Sequence, residues 1–429
     1  MTKQARAVLM SIAALTTLGL ASCDHYNCPN GLNFGSSTCS NSSITSPGSG
    51  GTGGNATAAF VFAVDQGTGT GGTIDGFTLD TTANTFQTTP SFTAPTIPVN
   101  NGGVGMVVAQ KQFLYAGFGT VGQIFGWTIS ATGSLTAIAG SPFSASLDFP
   151  GKVGEAAMIT NPAGTMLFVS DQLQSQIFVF QIGSGGVLTP ATGSPFTIPL
   201  GFQPMNLGTD GLGKYLYASN GSSTTHTATE VAAFVIGSSG TLTPVLGSPF
   251  AFPMWLAKGE PTGQFLIGTT GQAAFFGETD DDHLYVFSIA QTGSTAGAIT
   301  PVSGSPFPTV FSPLSIAVQS NANGNLLYSF SINDTGTGFN AAEGYTISSA
   351  GTLTADTGSP FSGLTNGSWG QFDQSGAFLF DYGSFLDINT NTVVTQLSPF
   401  DVGTGGVLTQ PITTLTLTTP GFWAVTDAP

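Results

Sequence analysis

The tetrapeptide Gly-Ser-Pro-Phe occurs five times along the chain, at 140–143, 193–196, 247–250, 304–307 and 358–361, with successive starts 53, 54, 57 and 54 residues apart. A period of that length is one supersecondary unit. Such a unit buries its core only by stacking on copies of itself, which restricts the chain to a closed ring or a solenoid. Ahead of each tetrapeptide an aliphatic residue stands in register, at Leu135, Leu188, Leu242, Ile299 and Leu353, and Phe86 before them and Leu408 after them extend the series to seven. An aromatic precedes that position by eight residues at Trp127, Phe180, Phe234, Tyr345 and Phe400, by nine at Phe77 and by twelve at Phe287, where the intervening turn is longer. A residue type held in seven units of seven is packing.

Each unit reads as four short strands. In the third, 156–160 is an inner strand and 161–164 a turn; 166–170 and 176–182 follow with the β-branched and aromatic bias of strands, and 187–190 leads towards Gly-Ser-Pro-Phe. The turn recurs at 210–213, 260–263 and 373–376, opening on Asp or Glu and closing on Gly, which supplies a positive φ while the acid bonds the turn backbone. The repeats begin at a second strand, 58–64, with no inner strand before it, and finish with 420–427, which matches the inner strands of other units. Orphan strands at both ends complement each other and remove the exposed edges a solenoid would have to cap. The expected fold is therefore an all-β, seven-bladed β-propeller of four-stranded blades over 57–429, its ring closed by the C-terminal strand joining the first blade.

The composition agrees: 40% of residues are hydrophobic, 34 are Phe, 60 are Gly and only 7% are charged, which excludes a disordered chain and a helical bundle. Residues 1–22 carry Lys3 and Arg6, then an apolar run from Ala7 to Leu18, then small residues, the layout of a secretory signal. Leu20-Ala21-Ser22-Cys23 resembles the lipobox of bacterial lipoproteins, which implies an acyl anchor on Cys23 and, as partner, a membrane reached through that lipid. Residues 23–56 read as a Ser/Gly-rich tether in which Cys28 and Cys39 form the remaining even pair, expected as a disulfide in an oxidising periplasm. The expected address is the bacterial cell envelope, on its periplasmic or outer face. Without the signal the chain holds four lysines, no arginine and 22 acids, a net −18, which argues against nucleic acid. So few bases leave little charge repulsion in acid, and an acidic exterior is expected.

The run of turn-Gly-x-Leu/Tyr-Leu-Tyr, Ile-Phe-Val-Phe-x-Ile and Gly-x-Leu-Thr-Pro-x-x-Gly-Ser-Pro-Phe, from Asn55 to Pro429, resembles the lactonase-type seven-bladed propellers, the group that includes bacterial 6-phosphogluconolactonase. The resemblance implies lactone hydrolysis. A phosphorylated substrate calls for clustered Arg or Lys, and here only Lys152 and Lys258 lie near inner strands, so an unphosphorylated lactone fits better. Glu155, just before the inner strand of the third unit, is the candidate base. Trp255, Trp369 and Trp423 on inner strands, with Asn206 in the matching place of a fourth, are candidates for stacking on a ring-shaped ligand such as a sugar at the central channel, or for plugging it. His226 with Glu230 forms a second candidate pair. The acidic run 278–283 lacks the spacing of a calcium loop and reads as solvated, so no metal is expected. Nucleotide, zinc and nucleophile-elbow motifs are absent, and the reading includes no cofactor. Few clustered titratable groups and long Gly/Ser/Thr loops favour a monomeric platform that captures a carbohydrate, a lactone or another envelope protein; the alternative is a hydrolase of unphosphorylated lactones.

Overall fold

The computed structural model describes residues 57–429 except 66–70, 82, 84, 90–94, 99–102, 119–121, 145–156, 173, 199–201, 223–226, 272–280, 323, 332–339, 365–368, 388–391, 411–413, 418–419 and 428. The leader, the tether with Cys23, Cys28 and Cys39, Glu155 and His226 lie outside the described residues. Seven antiparallel sheets follow one another along the chain as blades of a propeller. Blade 1 runs from inner to outer strand as Pro420–Thr426, Thr57–Asp65, Gly71–Asp80 and Thr85–Thr88. In blades 2 to 7 the inner strands are Gly103–Ala109, Met158–Thr160, Pro204–Thr209, Leu256–Gly259, Ser315–Asn321 and Trp369–Phe372. The second strands are Phe113–Phe118, Met166–Asp171, Tyr215–Ser222, Phe265–Thr269, Gly324–Ser331 and Phe378–Asp387.

The C-terminal strand closes the ring as the orphan ends require. Pro420–Thr426 pairs antiparallel with Thr57–Asp65, from Phe60 opposite Thr426 to Asp65 opposite Pro420. The core lies between blades, because strand alternation sends neighbouring side chains to opposite faces. In blade 6, Leu327 packs backwards on Ile267 and Leu284 of blade 5, while Tyr328 packs forwards with Phe372 and Leu379 of blade 7. The repeated aromatics Trp127, Phe180, Phe234, Phe287, Tyr345 and Phe400 are all buried, each contributing about 2–3 kcal/mol of burial.

The Gly-Ser-Pro-Phe motif acquires a specific task. After the short fourth strand the chain turns and comes back to the third strand: Phe143–Ser144, Phe196–Thr197, Phe307–Pro308 and Phe361–Leu364 pair with it in blades 2, 3, 5 and 6, and Phe250 bridges Val231 in blade 4. Each blade thus has four strands and a short return segment. At the turn the glycine sits at φ 86 to 90°, a left-handed conformation. The serine Oγ then accepts from a third-strand N–H, of Gly126, Val179, Ala233, Val286 and Gly344 in the five copies, at 2.8 to 3.0 Å. The hydroxyl fills the ladder position that the turning backbone vacates.

Tyrosines latch alternate blades. Tyr115, Tyr217 and Tyr328, buried on the second strands of blades 2, 4 and 6, donate their hydroxyls to the carbonyls of Gly186, Gly297 and Gly406 in the turn of the following blade, at 2.6, 3.1 and 2.5 Å. Phe62, Phe168, Ile267 and Phe380 occupy the same position in the other four blades and have no hydroxyl to donate.

Candidate functional site

Antiparallel order brings three kinds of chain segment to one rim of the ring: the starts of inner strands, the ends of second strands and the starts of third strands. The four binding residues expected from sequence divide there into two groups. Asn206 is buried; its Nδ2 donates to the carbonyl of Trp255 at 2.9 Å and its backbone N–H to Ser219 Oγ at 3.1 Å, which ties the inner strands of blades 4 and 5 together. The Trp255 N–H donates to the Thr269 carbonyl at 2.7 Å, and its half-buried indole lies over Gly271, where a Cβ would come within 2.8 Å of the ring. Trp369 stands opposite Tyr382, and Tyr382 stacks on Trp423 with centroids 5.5 Å apart and planes at 22°. This aromatic trio sits where blade 7 meets blade 1, and Trp423 is buried there.

The tryptophans occupy three registers rather than one level. Trp369 and Leu256 face the equivalent residues Tyr382 and Thr269, while Trp255 lies one residue before that level and Trp423, opposite Ala63, one after it. A one-residue step reverses the face. They therefore do not form a ring of stacked indoles around the channel.

Blade 5 supplies the arrangement with chemical potential. Asp281 immediately precedes the third strand His283–Ile289, so Asp281, His283 and Tyr285 alternate onto one face. His283 Nδ1 is 2.8 Å from Asp281 Oδ1. The other carboxylate oxygen accepts from Tyr285 OH at 3.1 Å and from Thr270 Oγ1 at 2.9 Å, at the end of the second strand. Burial, and then the charge of Asp281, push the Tyr285 phenol up to about 12, so it stays a donor. The carboxylate is 15% exposed and the imidazole 43%, so the acid is the more enclosed of the two and the ring is partly open to solvent. The acidic run thus does more than solvate a loop: Asp281 holds the histidine, and Asp282 Oδ1 accepts from Ser312 Oγ at 2.7 Å, joining the rim of blade 5 to the approach of blade 6. Of the second pair expected from sequence, Glu230 accepts from Asn220 Nδ2 at 3.0 Å. The signal for the dyad was an Asp-x-His spacing at a strand entry.

Residues 52–250 match the family model of the lactonase, seven-bladed β-propeller. Among solved structures, a Lactobacillus plantarum protein superposes with TM-score 0.58 at 15% identity over 87% of this chain and 100% of its own. A candidate 6-phosphogluconolactonase from Bacteroides uniformis gives 0.58 at 15% over 86% and 99%. The periplasmic gluconolactonase PpgL of Pseudomonas aeruginosa gives 0.56 at 14% over 86% and 99%. No curated protein matches significantly in sequence. The chain is a seven-bladed β-propeller that is similar, over 52–250, to the lactonase propellers; the structural likenesses, at such low identity, speak to fold.

Proposed function

We propose that this protein hydrolyses unphosphorylated sugar lactones, with His283 as general base and Asp281 as its orienting partner. The dyad carries the reading: a base within hydrogen-bond reach of a half-buried carboxylate that fixes its tautomer, on an imidazole that is 43% exposed. With Nδ1–H held by Asp281, Nε2 takes a proton from water as the water oxygen bonds to the lactone carbonyl carbon. Collapse of the tetrahedral adduct breaks the ring C–O bond, and the imidazolium returns the proton to the leaving ring oxygen. The hydroxy acid then ionises and releases one proton. The lack of arginine after residue 6 sets the preference for substrates without phosphate. The export signal and the anchor at Cys23 complete the proposal, placing the ring on a tether at the cell envelope.

A pH-stat assay on aldono- and aliphatic lactones, with and without phosphate, tests the assignment. Turnover above the spontaneous rate that falls at least a hundredfold in His283→Gln supports it. Turnover retained in that variant overturns the role of the dyad. No turnover on any lactone overturns the hydrolase reading in favour of a tethered binding platform.

A further inference from the structure

Six inner strands run through a turn into the second strand of their own blade, whereas Pro420–Thr426 meets its second strand, Thr57–Asp65, through hydrogen bonds without a turn between them. In blades 3, 4, 5 and 7 the residue that follows the inner strand caps that turn. Asn161 accepts from the Met166 N–H at 2.9 Å, Asp210 from that of Tyr215 at 2.7 Å, Glu260 from that of Gln264 at 2.7 Å and Asp373 from that of Phe378 at 2.9 Å. Asp427 holds the same place after Pro420–Thr426, where no such turn follows. Its carboxylate reaches sideways instead, to the N–H groups of Gln374 and Ser375 in blade 7 at 3.1 and 3.4 Å and to the Lys111 ammonium of blade 2.

That reach brings two carboxyl groups together. Ser375 gives its N–H to Asp427 and its hydroxyl to Asp373. The two carboxyls are also hydrogen-bonded to each other, which takes one proton between them, because ionised carboxylates only accept. Asp373 is buried, and burial first, then Asp427, push it up to about 6, so the pair keeps its proton in mild acid and sheds it towards neutrality. Among the described residues Lys111 is the one cation that meets the pair, on Asp427. Gln374, which accepts from Thr426 Oγ1 at 3.1 Å, and Gln319 of blade 6, which donates to the Asp373 carbonyl at 3.3 Å, are neutral. The equivalent acids of blades 4 and 5, Asp210 and Glu260, bond within their own turns.

We propose that Asp373 and Asp427 form a proton-operated clasp on the closing strand: the shared proton locks Pro420–Thr426 to blade 7 in mild acid, and its loss sets two like charges against each other at the seam, so that the strand opens locally. The strand carries Trp423, which stacks on Tyr382 of blade 7, and opening separates the two rings. The clasp lies at the ends of the inner strands, opposite the rim that holds Asp281 and His283, and the inference is independent of the lactonase reading.

Hydrogen exchange of the unmodified protein, read by mass spectrometry at pH 5, 6, 7 and 8 and divided by the intrinsic exchange rate at each pH, tests the clasp. Peptides over 421–427 report the closing strand, and peptides over 204–209 the inner strand of blade 4. Protection of 421–427 is expected to fall about tenfold from pH 5 to pH 8, while that of 204–209 changes by less than about threefold. Asp373→Asn has no proton to lose and still donates to Asp427, so its closing strand should stay protected at every pH; Asp427→Asn should flatten the profile likewise. The profile of the unmodified protein decides the matter even if a variant fails to fold. A flat profile there, an equal loss in both segments, or a step that persists in Asp373→Asn would overturn the clasp.

Discussion

The Lys111 ammonium is paired with the carboxylate of Asp427, across 316 residues of sequence. Asp427 follows the C-terminal inner strand of blade 1, Lys111 sits in the hairpin turn of blade 2 at φ 59°, and Asp427 Oδ1 also accepts from the Gln374 N–H of blade 7 at 3.1 Å. One carboxylate therefore joins three successive blades at the seam where the ring closes. Asp427→Ala is expected to cost about 1–2 kcal/mol, because it removes the charged acceptor of the part-buried Gln374 and Ser375 N–H groups. Lys111→Met should cost under about 1 kcal/mol, since that side chain is 44% exposed and largely screened. Thermal melts of both variants and the double variant check the order; a larger loss from Lys111→Met would mean that the ion pair, not the turn capping, holds the seam.

The tyrosine latches make a second stability prediction. Phe168 and Phe380 already show that a ring without a hydroxyl packs at this position, so Tyr115→Phe, Tyr217→Phe and Tyr328→Phe each remove one hydrogen bond and leave a glycine carbonyl unpaired. Each should cost about 1–2 kcal/mol, and the three should add, because the latches lie at separate blade contacts with no shared partner. Denaturant unfolding of the singles and the triple measures both.

The ring, its seven units and its closing strand were legible because hydrophobic periodicity and the repeated leucine and aromatic positions are packing signals that act locally on each strand. The return segment after Gly-Ser-Pro-Phe was not, since its strand order depends on a turn whose serine bonds the third strand fifteen residues earlier. The level of each tryptophan was not legible for a related reason. A bulge between Pro204 and Leu207, and unequal turns, shift register by single residues, and sequence similarity does not fix which face a side chain takes. The Asp281–His283 pair was hidden in an acidic run because composition alone does not reveal that a strand begins inside it.

Stability should rise in mild acid. Burial first, then the neighbouring Asp427, push Asp373 up to about 6 from 3.8, and burial also raises Asp210, Asp356, Asp381 and Asp401. A carboxyl with a raised folded pKa binds its proton more tightly when folded, so its contribution is fully present below about pH 4 and is lost as pH rises through 6. For Asp373 that is at most about 3 kcal/mol. Lys258, lowered to about 8, adds no slope in this window. The melting temperature is expected to be higher at pH 4.5 than at pH 7.5. Asp381, buried with neither oxygen bonded, should supply part of the slope, so Asp381→Asn should gain stability at pH 7.5 and little at pH 4.5. A melting temperature that falls steadily from pH 7 to pH 4 would sink the expectation and, with it, the reading of an acidic exterior.

The dyad predicts graded kinetic losses on lactones. Asp281→Asn keeps the shape but lets the amide accept or donate, so the histidine is no longer held as the tautomer with Nε2 free; kcat should fall by about 10²–10⁴ with little change in KM. Tyr285→Phe and Thr270→Val each leave Asp281 with one donor fewer and act only through it, so each should cost about two- to tenfold in kcat. Asp282→Asn disturbs the Ser312 contact and not the base, and is expected to leave kcat within twofold. Steady-state rates of the four variants test the order, and equal losses in Asp281→Asn and Asp282→Asn would show that the rim matters only as structure.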